Sequence, residues 1–353
     1  MNIEVNGHNI FEIVFVTFLI SLLLVPLAKV IAKHIGAMDM PNERKVHTKP
    51  MPRLGGLAIY TSFLIGYMLY GEITTQMLSI LISTFIIVLL GIIDDVNPVR
   101  ARYKFIVQIL CALIVVIYGK VYFSELSFLG HNFIFSKFWS YFLSTFFIVS
   151  ITNAINLIDG LDGLASGISS IYFLTIAIIA VVLNRIGGLD IILSLIMLGS
   201  SLGFLIHNFP PAKIFMGDTG STFLGFMIAI IALLGFKITT LTSLVIPVLI
   251  LALPILDTLF AIIRRVLKGE SIGTPDKEHF HHQLLKLKFT PRISILIIYS
   301  ISILFSAISI LYVLGDAQKA IFIYIILLIL LLFVILKTNI LFVHKTGDNK
   351  KQM

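Results

Sequence analysis

The chain has 353 residues, 58% hydrophobic and 12% charged, with a formal net charge of +8 and a mean hydropathy of +1.04. A soluble globular protein carries about twice that share of charge, so the composition excludes a water-soluble enzyme and predicts an all-α polytopic membrane protein. The basic excess is scattered over short connectors instead of forming one face or arm; this excludes a nucleic-acid surface and fits membrane topology and anionic lipid headgroups.

About eleven apolar runs of near bilayer-crossing length follow one another, at residues 10–32, 53–70, 77–93, 104–120, 138–156, 166–184, 189–207, 220–236, 241–263, 293–314 and 318–338. The first ends at Lys29 and Lys33 without a small-residue cleavage site, so it is expected to be a retained helix. Its connector, 33–53, contains three prolines in D-M-P-N-E-R-K-V-H-T-K-P-M-P-R and is no continuous helix. Arg44, Lys45, His47 and Lys49 there suit a phosphate as well as they suit topology alone.

The third run leads into Asp94 and Asp95, followed by Arg100, Arg102 and Lys104. Adjacent carboxylates repel, and a divalent cation or a cationic substrate group relieves the repulsion; a plain exposed helix end is the alternative. Cys111, the single cysteine, lies within the fourth run and supplies neither a disulfide nor a thiolate cluster. The connector at 121–137 has room for a small hairpin and is assigned no chemistry.

Asn153–Gly167 reads N-A-I-N-L-I-D-G-L-D-G-L-A-S-G, two amides and two carboxylates between apolar runs. A carboxylate at the edge of hydrocarbon needs water, a cation or a partner. Asp159 and Asp162 share a helical face if the helix continues past Leu157, and Asn153 and Asn156 extend that stripe. The stretch is either a polar connector or the wall of a cation site.

Asn208–Thr222, N-F-P-P-A-K-I-F-M-G-D-T-G-S-T, sets Asp218 among glycines and hydroxyls. It suits Mg2+ beside phosphate oxygens, or a cap on the eighth helix. Asp257 lies inside the ninth run, and Arg264 and Arg265 follow it as anchors or ligands. The connector 264–292 holds seven Lys or Arg against three acids, with His279, His281 and His282 in its midst. With no cysteine and no H-E-x-x-H pattern nearby, imidazoles donating to phosphate account for these residues more economically than zinc.

The positive-inside bias places 33–53, 94–104 and 264–292 in the cytoplasm. Alternation then puts the N-terminus outside, the C-terminus inside, and the connectors 157–165 and 208–219 on the same cytoplasmic face. The expectation is one transmembrane catalytic domain, 1–353, with its ionisable clusters gathered at one face. Acids for a hard cation and bases for phosphates at a membrane surface form the inventory of phosphoryl transfer. A membrane transporter, the non-enzyme alternative, predicts acids spread through the bilayer or repeated halves, and no internal repeat is visible.

Five motifs in order, Pro52-Arg53-x-Gly55-Gly56, Asp94-Asp95, N-A-x-N-x-x-D-G-x-D-G-L at 153–164, F-M-G-D-x-G-S at 215–221 and H-x-H-H at 279–282, resemble the polyprenyl-phosphate N-acetylhexosamine-1-phosphate transferase family, glycosyltransferase family 4. The resemblance implies transfer of N-acetylglucosamine 1-phosphate from UDP-N-acetylglucosamine to undecaprenyl phosphate, with release of UMP, at the cytoplasmic face of a bacterial cell membrane. It implies Mg2+ as cofactor, with Mn2+ as substitute. The H-x-H-H form and short spacing resemble the UDP-N-acetylglucosamine branch, and within it the Gram-positive enzymes that begin wall teichoic acid synthesis. The phospho-N-acetylmuramoyl-pentapeptide transferase of peptidoglycan synthesis and the initiation of another surface polysaccharide are the alternatives.

Carried over by motif, the catalytic set is Asp94, Asp95, Asp159, Asp162 and Asp218. Asp218 is the principal metal ligand, with Asp159 and Asp94 beside it, and Asp94 or Asp95 stands near the lipid phosphate. Asn153, Asn156, His279, His281 and His282 contact substrates, the histidines at the donor diphosphate; Arg44, Lys45, His47 and Arg264, which no motif carries over, are added as substrate contacts on their charge and position. The resemblance also implies a homodimer and downstream wall-polymer glycosyltransferases as partners. One departure is D-D-V-N-P at 94–98, where Pro98 replaces the third acid that often completes the family's first acidic motif.

Overall fold

A computed structural model describes residues 3–41, 49–128, 131–236, 250–267, 269, 279–315 and 317–337. Its helices are α1 (Ile10–Ile35), α2 (Gly55–Tyr70), α3 (Thr75–Val96), α4 (Ala101–Leu113, continued by a π-helical turn at Ile114–Tyr118), α5 (Lys137–Ile158), α6 (Leu164–Val182), α7 (Leu189–Asn208), α8 (Gly217–Phe236), α9 (Ala252–Leu267), α10 (Phe280–Lys286), α11 (Pro291–Val313) and α12 (Ala317–Lys337). Among the described residues, eight helical segments are long and apolar enough to cross a membrane, and α2 and the Gln318–Phe333 part of α12 are shorter apolar stretches. The protein is a multi-pass helical membrane protein. Helices suit that setting because each satisfies its own backbone polar groups where no water can.

The run expected at 241–263 is described only over its second half, where α9 stands, and the rest lies outside the described residues. Among the described residues, three short antiparallel pairs accompany the helices: β1 with β2 (Glu4–Val5 and His8–Asn9), β3 with β4 (Met38–Asp39 and Met51–Pro52), and β5 with β6 (Glu125–Phe128 and His131–Ile134). The last is the hairpin expected between the fourth and fifth spans. Arg44, Lys45 and His47 lie outside the described residues.

The axis of the bundle is α8. Its apolar window is 89% buried, against 22% for α1 at the rim, and α2, α3, α5, α6 and α7 all pack on it. Small residues make this approach possible. A Cβ on Gly56 would collide with the backbone of Gly220, and one on Gly91 with the backbone of Thr219, so the first turn of α8 is gripped by α2 and α3. Elsewhere serines join the helices: Ser62 Oγ donates to the Thr17 carbonyl at 2.8 Å and Ser200 Oγ to Ser62 Oγ at 2.9 Å.

Several boundaries differ from expectation, and each difference bears on chemistry. Helix α3 runs on to Val96, so Asp94 and Asp95 occupy its last turn, and α8 starts at Gly217, so Asp218 sits in its first. The helical stripe expected through Asp159 and Asp162 does not form. Helix α5 ends at Ile158, and Gly163, at φ 78°, opens α6 in a left-handed conformation suited to glycine. The two carboxylates therefore lie in a tight turn and point to different partners.

Candidate active site

The site is built on one exchange between two helix ends. The first N–H groups of a helix have no partner within it, and here a carboxylate from another helix supplies one. Asp95 Oδ1 accepts from the Asp218 N–H at 2.9 Å, while Oδ2 accepts from the Thr219 N–H at 3.0 Å and from Thr219 Oγ1 at 2.6 Å. Arg53, just before α2, adds its Nη2 at 3.0 Å from Asp95 Oδ1. Both Asp95 oxygens are thereby engaged, and the side chain is fully buried. Asp95 locks the end of α3 to the start of α8.

With α8 held there, Asp218 faces Asp94. Lys104, in the first turn of α4, sits between them, its Nζ 2.8 Å from Asp218 Oδ2 and 3.2 Å from Asp94 Oδ2. The other Asp94 oxygen accepts from the Val99 N–H at 2.7 Å and pins the turn around Pro98. Arg53 reaches Asp218 Oδ1 at 3.7 Å and Asp39 Oδ1 at 3.9 Å. Burial opposes the charge on Arg53, but Asp95, Asp218, Asp39 and Asp94 together hold its pKa above the ordinary value.

Asp159 joins the group from the turn after α5. Burial, then the charges of Asp218 and Asp95, push its carboxyl up to about 8, against an ordinary value of 3.8. Asn156, one turn earlier, donates from Nδ2 to Ser221 Oγ at 2.8 Å. Asp162 accepts from the Ala212 N–H at 2.9 Å. Beside it, Asn208 accepts from the Gly163 N–H at 2.9 Å and donates to the Ile214 carbonyl at 2.9 Å, fastening the turn to the loop before α8. Asn153 lies deeper, donating to Gln108 Oε1 at 2.7 Å between α4 and α5.

The raised Asp159 carboxyl gives a stability test with a definite sign. A folded-state pKa above the unfolded one stabilises at low pH and is lost as pH rises, here between 3.8 and about 8. Asp159→Asn removes that loss. Thermal unfolding of metal-free protein is therefore expected to show the variant gaining on wild type from pH 5 to pH 9; a difference that is the same at both pH values would contradict the raised pKa.

The histidines form a second group. Asp257, buried in α9, accepts from the Phe280 N–H at 2.8 Å and lies 2.9 Å from His279 Nδ1. His281 stacks parallel to His279 at 5.7 Å, and a Cβ on Gly160 would meet its ring, so this group abuts the Asp159 turn. Neither ring nitrogen of His281 has a hydrogen-bond partner among the described residues. Burial, with His282 and His279 alongside, holds its pKa well below the usual value, which keeps the ring neutral. His282 lies against His281, ring centroids 4.2 Å apart, and Arg264 is buried in the last turns of α9.

Of the expected site residues, the structure brings together Asp94, Asp95, Asp159 and Asp218, with Asn156 beside them, and sets His281 next to their turn. Asn153 and Asp162 serve internal contacts. Arg53, Lys104 and Asp257 complete the groups without having been singled out as ligands. Among the described residues no three His, Cys, Asp or Glu side chains surround one point. The Asp94 and Asp218 oxygens nonetheless hold a cation, the Lys104 ammonium, between two helices. Hard oxygen donors around a positive charge suit Mg2+ in character, so the pair fits a divalent ion once the ammonium moves aside.

A family model described as glycosyl transferase family 4 matches residues 77–236. The probable undecaprenyl-phosphate N-acetylglucosaminyl 1-phosphate transferase of Bacillus subtilis is 49% identical over 301 residues, covering 83% of this chain and 83% of that protein. The chain belongs to glycosyl transferase family 4. The decaprenyl-phosphate N-acetylglucosaminephosphotransferase of Mycolicibacterium smegmatis is 35% identical, over 77% of this chain and 74% of its own. The undecaprenyl-phosphate alpha-N-acetylglucosaminyl 1-phosphate transferase of Escherichia coli is 29% identical, over 83% and 81%. In this glycosyl transferase the family match runs from α3 to α8. It therefore contains the whole carboxylate group and Lys104, while Arg53, Asp257 and the histidines lie on either side.

Proposed function

We propose that the protein transfers N-acetylglucosamine 1-phosphate from UDP-N-acetylglucosamine to undecaprenyl phosphate, giving undecaprenyl-diphospho-N-acetylglucosamine and UMP. The observation that carries this reading is the convergence of Asp94, Asp159 and Asp218 with Lys104 and Arg53 at one end of the bundle. It is a charged site where an aqueous nucleotide can meet a lipid phosphate. The 49% identity to a relative named for this reaction supports the substrates. An oxygen of the lipid phosphate attacks the phosphorus next to the sugar, the bond to the UMP oxygen breaks, and UMP leaves.

In this reading Asp218 and Asp94 hold Mg2+, or Mn2+ in its place, with Asp159 nearby. The bound ion would neutralise phosphate oxygens and the departing UMP. Asp95 positions Asp218 through the helix end. His281, steered by the Asp257–His279 contact, meets the donor diphosphate, with His279 and His282 beside it, and Arg264 is assigned to the donor by sequence. Asn156 lines the nucleotide region, and Arg44, Lys45 and His47 are assigned to phosphate by sequence.

The same reading takes the whole chain, 1–353, as one catalytic domain with eleven spans, the N-terminus outside and the site facing the cytoplasm, supported by the basic connectors. It makes the enzyme the first membrane step of wall teichoic acid synthesis, acting as a homodimer that hands its product to wall-polymer glycosyltransferases. Purified protein in detergent, given undecaprenyl phosphate and a panel of UDP sugars, is expected to release UMP with UDP-N-acetylglucosamine and to stop on chelation. No UMP from that donor would refute the substrate assignment, and turnover indifferent to a chelator would refute the metal.

A further inference from the structure

We propose that Lys104 is the resident counter-ion of the Asp94–Asp218 pair. In the working enzyme it is exchanged for the divalent cation, which frees its ammonium for a substrate phosphate. The inference rests on the reading of Asp218 and Asp94 as cation ligands, and it adds the group that occupies their place beforehand.

Position is the first reason. Lys104 Nζ lies 2.8 Å from Asp218 and 3.2 Å from Asp94, residues 124 apart in sequence that meet only through the packing of α3 on α8. Two carboxylates drawn to one point, Asp94 buried and Asp218 half-buried, repel unless a positive charge stands between them. Lys104 supplies it, at the point where both acids present an oxygen. A lysine in the first turn of a helix also faces the positive end of the helix dipole. Its own helix does not favour this placement, so the two carboxylates account for it.

Mobility is the second reason, and it separates Lys104 from Arg53. Arg53 is tied to Asp95 at 3.0 Å, and Asp95 is committed to the backbone of α8, so the guanidinium belongs to the frame. The ion pairs of Lys104 are made by its terminal amine, at the end of a flexible four-carbon stem. Swinging that stem outward breaks no backbone contact. The carboxylates also outnumber the two cations in this group, so a divalent ion in place of the ammonium brings the charges closer to balance.

A permanent structural ion pair is the competing account, and metal affinity distinguishes the two. Full-length protein in detergent, without substrates, is titrated with Mn2+ while free Mn2+ is followed by electron paramagnetic resonance. Lys104→Met is expected to bind Mn2+ roughly tenfold tighter than wild type, the scale of a typical competitive coupling. Lys104→Arg, which keeps the charge, is expected to stay near wild type. Lys104→Gln serves as the second neutral variant if the Met form does not give folded protein. Unchanged or weaker binding in the neutral variants, with binding lost in Asp218→Asn, would overturn the exchange and leave the metal assignment standing. Binding that persists in Asp218→Asn would overturn both.

Discussion

Asp218→Asn is expected to lower UMP release about a thousandfold or more, the scale on which phosphoryl-transfer enzymes lose rate when a charge-stabilising group is removed. The fold should survive. The contacts that hold the first turn of α8 run through the Asp218 and Thr219 N–H groups and Thr219 Oγ1 to Asp95, and the substitution touches none of them. Asn keeps an oxygen to accept from Lys104, so what disappears is the negative charge that both Lys104 and Arg53 approach. The check is UMP release across a Mg2+ titration, run beside thermal unfolding. A melting temperature near wild type with turnover lost is the expected pair of results. Turnover within tenfold of wild type would remove Asp218 from the centre of the reaction.

Much of this arrangement was legible in the sequence because a bilayer demands long apolar runs, and carboxylates interrupting them stand out. Asp94, Asp159 and Asp218 were readable for that reason. The cations were not: near a membrane face a Lys or Arg reads as topology, and Lys104 and Arg53 lie in stretches whose basic character already had that explanation. The signal for Lys104 was its place at the start of a helix, where a cation is disfavoured. The turn at Asp159–Gly163 misled in another way. Spacing alone suggests a shared helical face, but Gly160 and Gly163 in L-I-D-G-L-D-G mark a turn, and the left-handed Gly163 ends that face. Packing then decides that Asp159 faces Asp218 while Asp162 holds Ala212.

Asp95→Asn separates a positional carboxylate from a chemical one, and its neighbour in sequence makes the contrast informative. Each Asp95 oxygen receives donors only: the Asp218 N–H and Arg53 at Oδ1, the Thr219 N–H and hydroxyl at Oδ2. An amide in either orientation turns an N–H2 group toward donors, so the nearly isosteric change is not conservative. Breaking a buried, charge-assisted set of this kind costs about 3–5 kcal/mol, which for a chain of this length corresponds to a fall of roughly 5 °C in melting temperature. Activity is expected to fall with it, because Asp218 and Arg53 lose their common anchor. Asp95→Asn should therefore lose stability and turnover together, where Asp218→Asn loses turnover alone. Thermal unfolding of the two variants under the same detergent conditions, with UMP release measured on each, makes the comparison. If Asp95→Asn melted with wild type yet failed to turn over, Asp95 would be acting on the substrate instead of holding α8, and the lipid phosphate would be the place to look for its partner.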